Sequence, residues 1–79
     1  MEPQALESKL LSAFPDARVN VRDLTGTGDH WEARIVSSAF EGRSLVDRHR
    51  LVYGALVSEM AGPIHALTLQ TLTPAEAGG

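Results

Sequence analysis

The stretch Phe40-Glu-Gly-Arg-Ser-Leu-Val-Asp-Arg-His-Arg-Leu-Val-Tyr53 says most about how this chain folds. Ser44 and Asp47 form a Ser-x-x-Asp variant of the capping box, which predicts that a helix begins after Ser44. Gly62 and Pro63 predict its end, because Gly suits a left-handed cap and Pro cannot continue the turn. A buried helix of about four turns is expected between these signals. Its predicted apolar face consists of Leu45, His49, Val52 and Leu56, flanked by Val46, Tyr53, Val57 and Met60.

Composition limits the classes of protein to consider. A chain of 79 residues with 43% hydrophobic residues predicts one folded domain, since it is too short for two cores. The net charge of -3 argues against a dedicated nucleic-acid binder, although a local basic face could coexist with an acidic remainder. The lack of cysteine excludes a disulfide framework, a thiol nucleophile and a Cys-rich zinc site. With no secretory signal and no apolar run of the ~20 residues that a membrane span needs, we expect a cytoplasmic protein.

The rest of the chain predicts a further helix and three strands. The predicted elements are a helix at 3–14, strands at 17–22, 31–35 and 64–72, and a loop at 25–29 between the first two strands. The order is α-β-β-α-α-β if the connector at 40–42 forms a helical turn, and α-β-β-α-β if it does not. Because a helical crossover normally joins parallel strands, the third strand should pair parallel with the second. This predicts an α+β two-layer sandwich, a three-stranded mixed sheet with helices on one face, ordered over about residues 3–73 and frayed at the C-terminal end.

Two histidines stand at the starts of neighbouring strands in this topology. His30 begins the second strand and His65 the third, so parallel pairing would bring both to one rim of the sheet, beside the 25–29 loop. Imidazole is a common ligand of transition metals, and two imidazoles supply half of a coordination sphere. Each histidine by itself could equally be an ordinary polar residue. His49 lies on the apolar face of the long helix and is predicted to be a hydrogen-bonded core residue.

Other motifs carry less information. Gly26-Thr-Gly28 joins two strands instead of opening a helix, so it is predicted to be a turn and not a phosphate loop. No nucleophile elbow or cofactor fingerprint is present, and we expect no enzymatic activity. Arg43, Arg48 and Arg50 could form a basic patch for an acidic partner or a phosphate backbone. An ordinary solvated helix face is the alternative, because neighbouring carboxylates offset much of this charge.

The chain resembles the BolA family in four segments. These are Phe40–Tyr53, Ile64-His-Ala-Leu67, Thr71-Leu-Thr-Pro74 and Gly28-Asp-His-Trp31. The likeness extends from the first helix to Pro74, and Arg-His-Arg-Leu-Val is its most specific motif. The resemblance implies an α-β-β-α-α-β fold similar to the class II KH domain, which agrees with the topology predicted from the residue pattern.

The resemblance also implies a partner and a cofactor. Members of the family associate with monothiol glutaredoxins and share a [2Fe-2S] cluster with them, for which the glutaredoxin and its bound glutathione supply the thiolates. The last-strand histidine ligand of the family matches His65. The second ligand, a Cys or a His from the loop, falls on Thr27 or on His30, so the chain resembles the histidine-loop subgroup. Because neutral imidazole is the ligating form, cluster binding should weaken below about pH 6.

Regulation of transcription is the alternative function that the resemblance implies, with DNA contacted through the KH-like fold. A KH domain clamps nucleotides with a Gly-x-x-Gly loop, whereas the matching region here has one glycine. DNA binding would therefore depend on the arginines of the long helix. By itself the protein is expected to be a monomer or a weak homodimer. The residues expected to contact a partner protein or nucleic acid are Thr27, Asp29, Arg43, Arg48, His49 and Arg50.

Overall fold

Helices cover one face of a small β-sheet in this protein, as seen in a computed structural model. The structure describes residues 2–28, 30–62, 64 and 66–78, so predictions that concern Asp29, Pro63 and His65 lie outside the described residues. The elements are α1 (Pro3–Ala13), β1 (Arg18–Asp23), β2 (His30–Val36), a 3-10 helix (Ser38–Phe40), α2 (Leu45–Ala55), α3 (Val57–Met60) and β3 (Ala66–Leu72). The predicted α-β-β-α-α-β order is confirmed.

The sheet has the predicted mixed topology, with strand order β1-β2-β3. β1 and β2 form an antiparallel hairpin in which Arg18 pairs with Val36. β3 runs parallel to β2, with Ala66 opposite His30 at one end of the ladder. A parallel neighbour requires a crossover connection, and the helices between β2 and β3 provide it.

The core lies between the helices and the central strand. Trp31, Ala33 and Ile35 alternate along β2 and are at most 1% exposed, and α1 places Leu6 and Leu10 against them. The alternation along β2 matches the period of two of a strand, and the spacing of Leu6 and Leu10 matches one helical turn. The aromatic rings of Phe14 and Phe40, whose centroids are 5.3 Å apart, close one side of the core. Other core members are Val52, Leu56 and Ile64.

The prediction of one long helix from Ser44 to Gly62 is wrong. The predicted cap is present, since Ser44 Oγ accepts a hydrogen bond from Asp47 N at 3.2 Å. α2, however, ends at Ala55, and Leu56 leaves helical geometry with φ −115° and ψ 22° before α3 begins. Leu56, at the break, is nevertheless fully buried, as a continuous helix also predicted.

The buried face of α2 also differs from the prediction. Leu45 was expected inside but is 63% exposed, whereas Arg48 is only 9% exposed. His49 is half-buried rather than a core residue. An arginine can take this place because its methylene groups pack against apolar neighbours while its guanidinium reaches polar partners. Val52 and Leu56, on the same face, are buried as predicted.

The C-terminal segment forms hydrogen-bonded turns where a frayed tail was predicted. Thr73 N donates to Glu76 Oε1 at 2.8 Å, and Glu76 N donates back to Thr73 Oγ1 at 3.2 Å. Ala77 N donates to the carbonyl of Thr73. Glu76 is in turn bound by Arg48 Nη1 at 2.6 Å, so the segment after β3 is attached to α2.

Candidate functional site

The starts of β2 and β3 meet at one rim of the sheet. His30 is the first residue of β2 and lies opposite Ala66, the first residue of β3. Its side chain is half-buried. His65 immediately precedes Ala66 in the chain, but it lies outside the described residues. The parallel register therefore confirms the alignment of the two strand starts on which the predicted histidine pair depends.

Asp23 organises the loop that borders this rim. Its Oδ1 accepts hydrogen bonds from Thr25 N at 3.2 Å and Gly26 N at 2.9 Å, and its Oδ2 accepts one from Gly28 N at 2.8 Å. The indole Nε1 of Trp31 donates to the carbonyl of Gly28 at 3.0 Å. A core side chain and one carboxylate thus determine the path of the loop backbone.

Positive φ angles explain the two glycines of this loop. Gly26 and Gly28 have φ values of 77° and 78°, a region that disfavours residues with a Cβ. Thr27 stands between them, exposed, and its Oγ1 lies 2.6 Å from Oγ1 of Thr25. The segment is a hairpin turn, as predicted. A shallow polar depression beside it is lined by Glu2, Pro3, Asp23, Gly26, Thr27 and Gly28.

The described residues at this rim do not make up a complete metal site. The described residues contain no group of three or more His, Asp or Glu side chains placed to hold a metal ion. Since the chain has no cysteine, it can offer imidazole but no thiolate.

The three arginines that were predicted to form a basic patch do not share one exposed surface. Arg48 points inward, where Nη1 donates to the carbonyl of Thr71 and Nε to that of Arg43. Arg43 itself is exposed, and its Nε donates to the carbonyl of Ala39 at 3.1 Å. Arg50 is exposed, and its Nη1 lies 3.8 Å from Oδ1 of Asp47. Because one arginine is buried and another faces a carboxylate, α2 presents little net positive charge to DNA.

Two carboxylates with lowered pKa values were missed by the sequence interpretation. Hydrogen bonds from the hydroxyl and the backbone N–H of Ser38, and from the hydroxyl of Ser37, lower the pKa of Asp16 to about 2. The guanidinium of Arg48, followed by the N–H of Thr73, lowers the pKa of Glu76 to about 2. Both partnerships join distant parts of the chain, so no local motif announces them. Asp23, by contrast, carries a local signal, since Asp before a Gly-containing loop favours an Asx-type turn.

None of the helices in the described part of the chain combines the length and apolar character needed to cross a bilayer.

Comparisons with known proteins agree with the geometry. The family model described as BolA-like protein matches residues 2–76. BolA-like protein 1 of Pongo abelii is 51% identical over 81 aligned positions, which cover 94% of this chain but 59% of that protein, so the chain spans less than two thirds of its length.

Solved structures show the same fold. The BolA domain of SufE1 from Arabidopsis thaliana superimposes with a TM-score of 0.86 at 36% identity, over 94% of this chain and 93% of that one. The solution structure of yeast Fra2 gives a TM-score of 0.81 at 32% identity, over 98% and 84% of the two chains. With its α+β topology and its sequence in agreement with these relatives, the chain belongs to the BolA-like family.

Proposed function

We propose that this protein is a non-enzymatic adaptor that binds a monothiol glutaredoxin and shares a [2Fe-2S] cluster with it through His65 and His30. Its role would lie in the trafficking of iron–sulfur clusters or in iron and redox regulation. The supporting observation is the parallel register in which His30 lies opposite Ala66, the residue that follows His65. Membership of the BolA-like family supports the same interpretation.

The chemistry of the chain requires a second protein in this proposal. Two imidazoles can serve one iron, as in Rieske-type centres, where they raise the reduction potential above that of an all-thiolate cluster. The other iron needs thiolates, which a glutaredoxin cysteine and glutathione would provide. The loop held by Asp23 and the imidazole of His30 would then face the glutaredoxin.

Other known BolA-like domains support a role in contacting other proteins. The BolA domain of SufE1 is one domain of a larger protein, and this chain matches only 21% of the length of SufE-like protein 1 from Arabidopsis thaliana. The transcriptional alternative has no comparable support, because Arg48 is buried and Arg50 faces Asp47. We therefore do not advance it as a second function.

A titration with cluster-loaded glutaredoxin tests the proposal. The protein is added to a monothiol glutaredoxin that carries [2Fe-2S] and glutathione, and visible absorption and circular dichroism are recorded. We expect a new spectrum that saturates at one to one, is lost in His65→Ala and is altered in His30→Ala. Arg18→Ala is the control, because Arg18 pairs with Val36 at the end of the hairpin away from His30 and leaves the rim unchanged. An unchanged spectrum with the wild-type protein would falsify the shared cluster.

A further inference from the structure

The outer edge of β3 presents unpaired backbone groups. β3 stands at one end of the strand order, so only its β2 side is paired. Ser37, which follows β2, donates its N–H to the carbonyl of Leu72 at 2.9 Å, and this carbonyl therefore faces the β2 side. Because backbone direction alternates along a strand, the N–H and C=O groups of Leu67, Leu69 and Thr71 face outward.

One end of this edge is closed by an ion pair. Arg48 Nη1 binds the outward carbonyl of Thr71 at 3.2 Å, and Glu76 Oε1 binds the N–H of Thr73. Among the described residues, no backbone hydrogen bond outside the strand ladder reaches Leu67 or Leu69. The open part of the edge is thus the segment from Leu67 to Leu69.

The open segment lacks the charges that usually protect edge strands. The exposed residues of β3 are Ala66, Thr68 and Gln70, all uncharged, and β3 contains neither Pro nor Gly. The opposite edge strand, β1, carries Arg18 and Arg22 on its exposed face. Charged side chains and prolines are the common means by which edge strands avoid pairing with other chains.

We propose that this edge of β3 pairs antiparallel with the same edge of a second copy of the chain, centred on Thr68. In this register Leu67 lies opposite Leu69 of the second copy and both exchange their outward N–H and C=O groups, while the two Thr68 side chains meet at the two-fold axis. Centring the pair on Leu69 instead would require the carbonyl of Thr71, which Arg48 already occupies.

The absence of charge is what selects a second copy as the occupant. Two-fold pairing places each residue opposite a symmetry-related residue of the same strand, so any like charges on β3 would repel one another. β3 has none, and Thr–Thr and Leu–Leu pairs across antiparallel strands are favourable. The corresponding arrangement of β1, centred on Asn20, would place Arg18 opposite Arg22. In the registers compared, the β3 edge avoids the repulsion that self-pairing of β1 would create.

The proposed dimer is weak and its salt dependence is distinctive. Each copy carries a net charge of -3, so the two copies repel each other at long range. Salt screens this repulsion. An interface without ion pairs should therefore tighten as salt is added, whereas an interface held by salt bridges would loosen.

Hydrogen exchange and sedimentation together test the edge pairing. The wild-type protein is followed from micromolar to millimolar concentration by analytical ultracentrifugation and by NMR-detected amide exchange. The amides of Leu67 and Leu69 should exchange more slowly as concentration rises, in step with dimer formation. The amide of Thr68 faces β2 and serves as an internal control that should not respond to concentration.

Charge substitutions test the register. Thr68→Lys should weaken the dimer about fivefold or more, because it places two like charges at the two-fold axis. An equimolar mixture of Thr68→Lys and Thr68→Glu should restore dimerisation as a heterodimer. Gln70→Lys is the matched control, since residue 70 lies opposite Ala66 in this register. None of these changes replaces His30 or His65, and dimerisation is measured without glutaredoxin, so the failure of this proposal and that of cluster sharing are distinguishable.

Three outcomes would overturn the proposal. A wild-type protein that stays monomeric to millimolar concentration excludes the dimer. A dimer that Thr68→Lys does not weaken uses another surface. Protection of Leu67 and Leu69 that occurs only after glutaredoxin is added would mean that the edge accepts a strand of that partner instead of a second copy.

Discussion

Arg48 connects three parts of the chain through a single side chain. Its guanidinium donates to the carbonyls of Arg43 and Thr71 and to both carboxylate oxygens of Glu76, at 2.6 and 3.2 Å. A buried guanidinium is tolerated only when its donors are satisfied, and Arg has a planar fork of donors that suits a carboxylate. The residue therefore serves stability, although its place in a basic sequence suggested surface recognition.

Arg48→Met should lower the free energy of unfolding by about 1–3 kcal/mol, because the methylenes are kept while carbonyl and carboxylate acceptors lose their donor. Urea denaturation measures this change. Arg50→Met is the matched control, since Arg50 is 78% exposed and most surface substitutions change stability by less than about 0.5 kcal/mol. Equal losses in the two variants would show that the buried hydrogen bonds of Arg48 contribute nothing.

At the scale of elements, two glycines near α2 differ in what a substitution by alanine should do to stability. Gly54 lies within α2, and an added Cβ would have no atom within 4 Å. Gly42 precedes the helix and has a φ of +73°. Gly54→Ala should raise the free energy of unfolding by about 0.5–1 kcal/mol through higher helix propensity. Gly42→Ala should lower it, because alanine is strained at positive φ. Thermal and urea unfolding of both variants test the opposite signs.

The helix cap gives a further prediction for α2. Ser44→Ala removes the acceptor for the N–H of Asp47 and should cost about 1 kcal/mol of stability. Ser58→Ala, at an exposed position in α3, is the control and should be nearly neutral. If urea denaturation shows the same change in stability for both variants, the cap at Ser44 does not stabilise α2.

Strands were predicted closely from sequence, and the long helix was not. β1 and β2 begin and end within one residue of the predicted bounds, because alternation of Val19, Val21, Trp31 and Ile35 with polar residues has a clear period. The same logic failed at the break at Leu56, since the helical period of apolar residues continues through it and no Gly or Pro stands at that position. It also failed at Arg48, whose partner Glu76 is 28 residues away and invisible to any local pattern. For the candidate site, the register aligns the starts of β2 and β3 as predicted, and the site roles of His30, His65 and Asp29 stay predictions.

At the scale of the whole molecule, two carboxylates join parts of the chain that are distant in sequence. One closes the end of the β1–β2 hairpin, and the other attaches the C-terminal turns to α2. Asp16 accepts hydrogen bonds from Ser37 and Ser38 across the end of the hairpin. Glu76 is held by Arg48. Both pKa values lie near 2, below the ordinary values of 3.8 and 4.5, because each hydrogen-bonding arrangement favours the ionised form.

The lowered pKa values of Asp16 and Glu76 determine how the stability of the protein depends on pH. A group with a lowered folded-state pKa binds protons more readily when the chain is unfolded, so its contribution is complete above its ordinary pKa. The free energy of unfolding should therefore fall as pH decreases from about 4.5 towards about 2. The double variant Asp16→Asn, Glu76→Gln should be less stable at neutral pH and show a shallower fall, measured as urea midpoints across this range. Glu41→Gln, at an exposed carboxylate that follows the 3-10 helix, should keep the wild-type slope.

The hydrogen bonds around Asp23 have a consequence for the speed of recognition. A loop whose backbone N–H groups are already bound by a carboxylate, and whose last carbonyl is held by Trp31, has few conformations left to lose. A partner that docks against residues 24–28 meets a surface close to its bound shape, so little conformational entropy is lost on contact. Encounters with such a partner should then proceed without a slow ordering step.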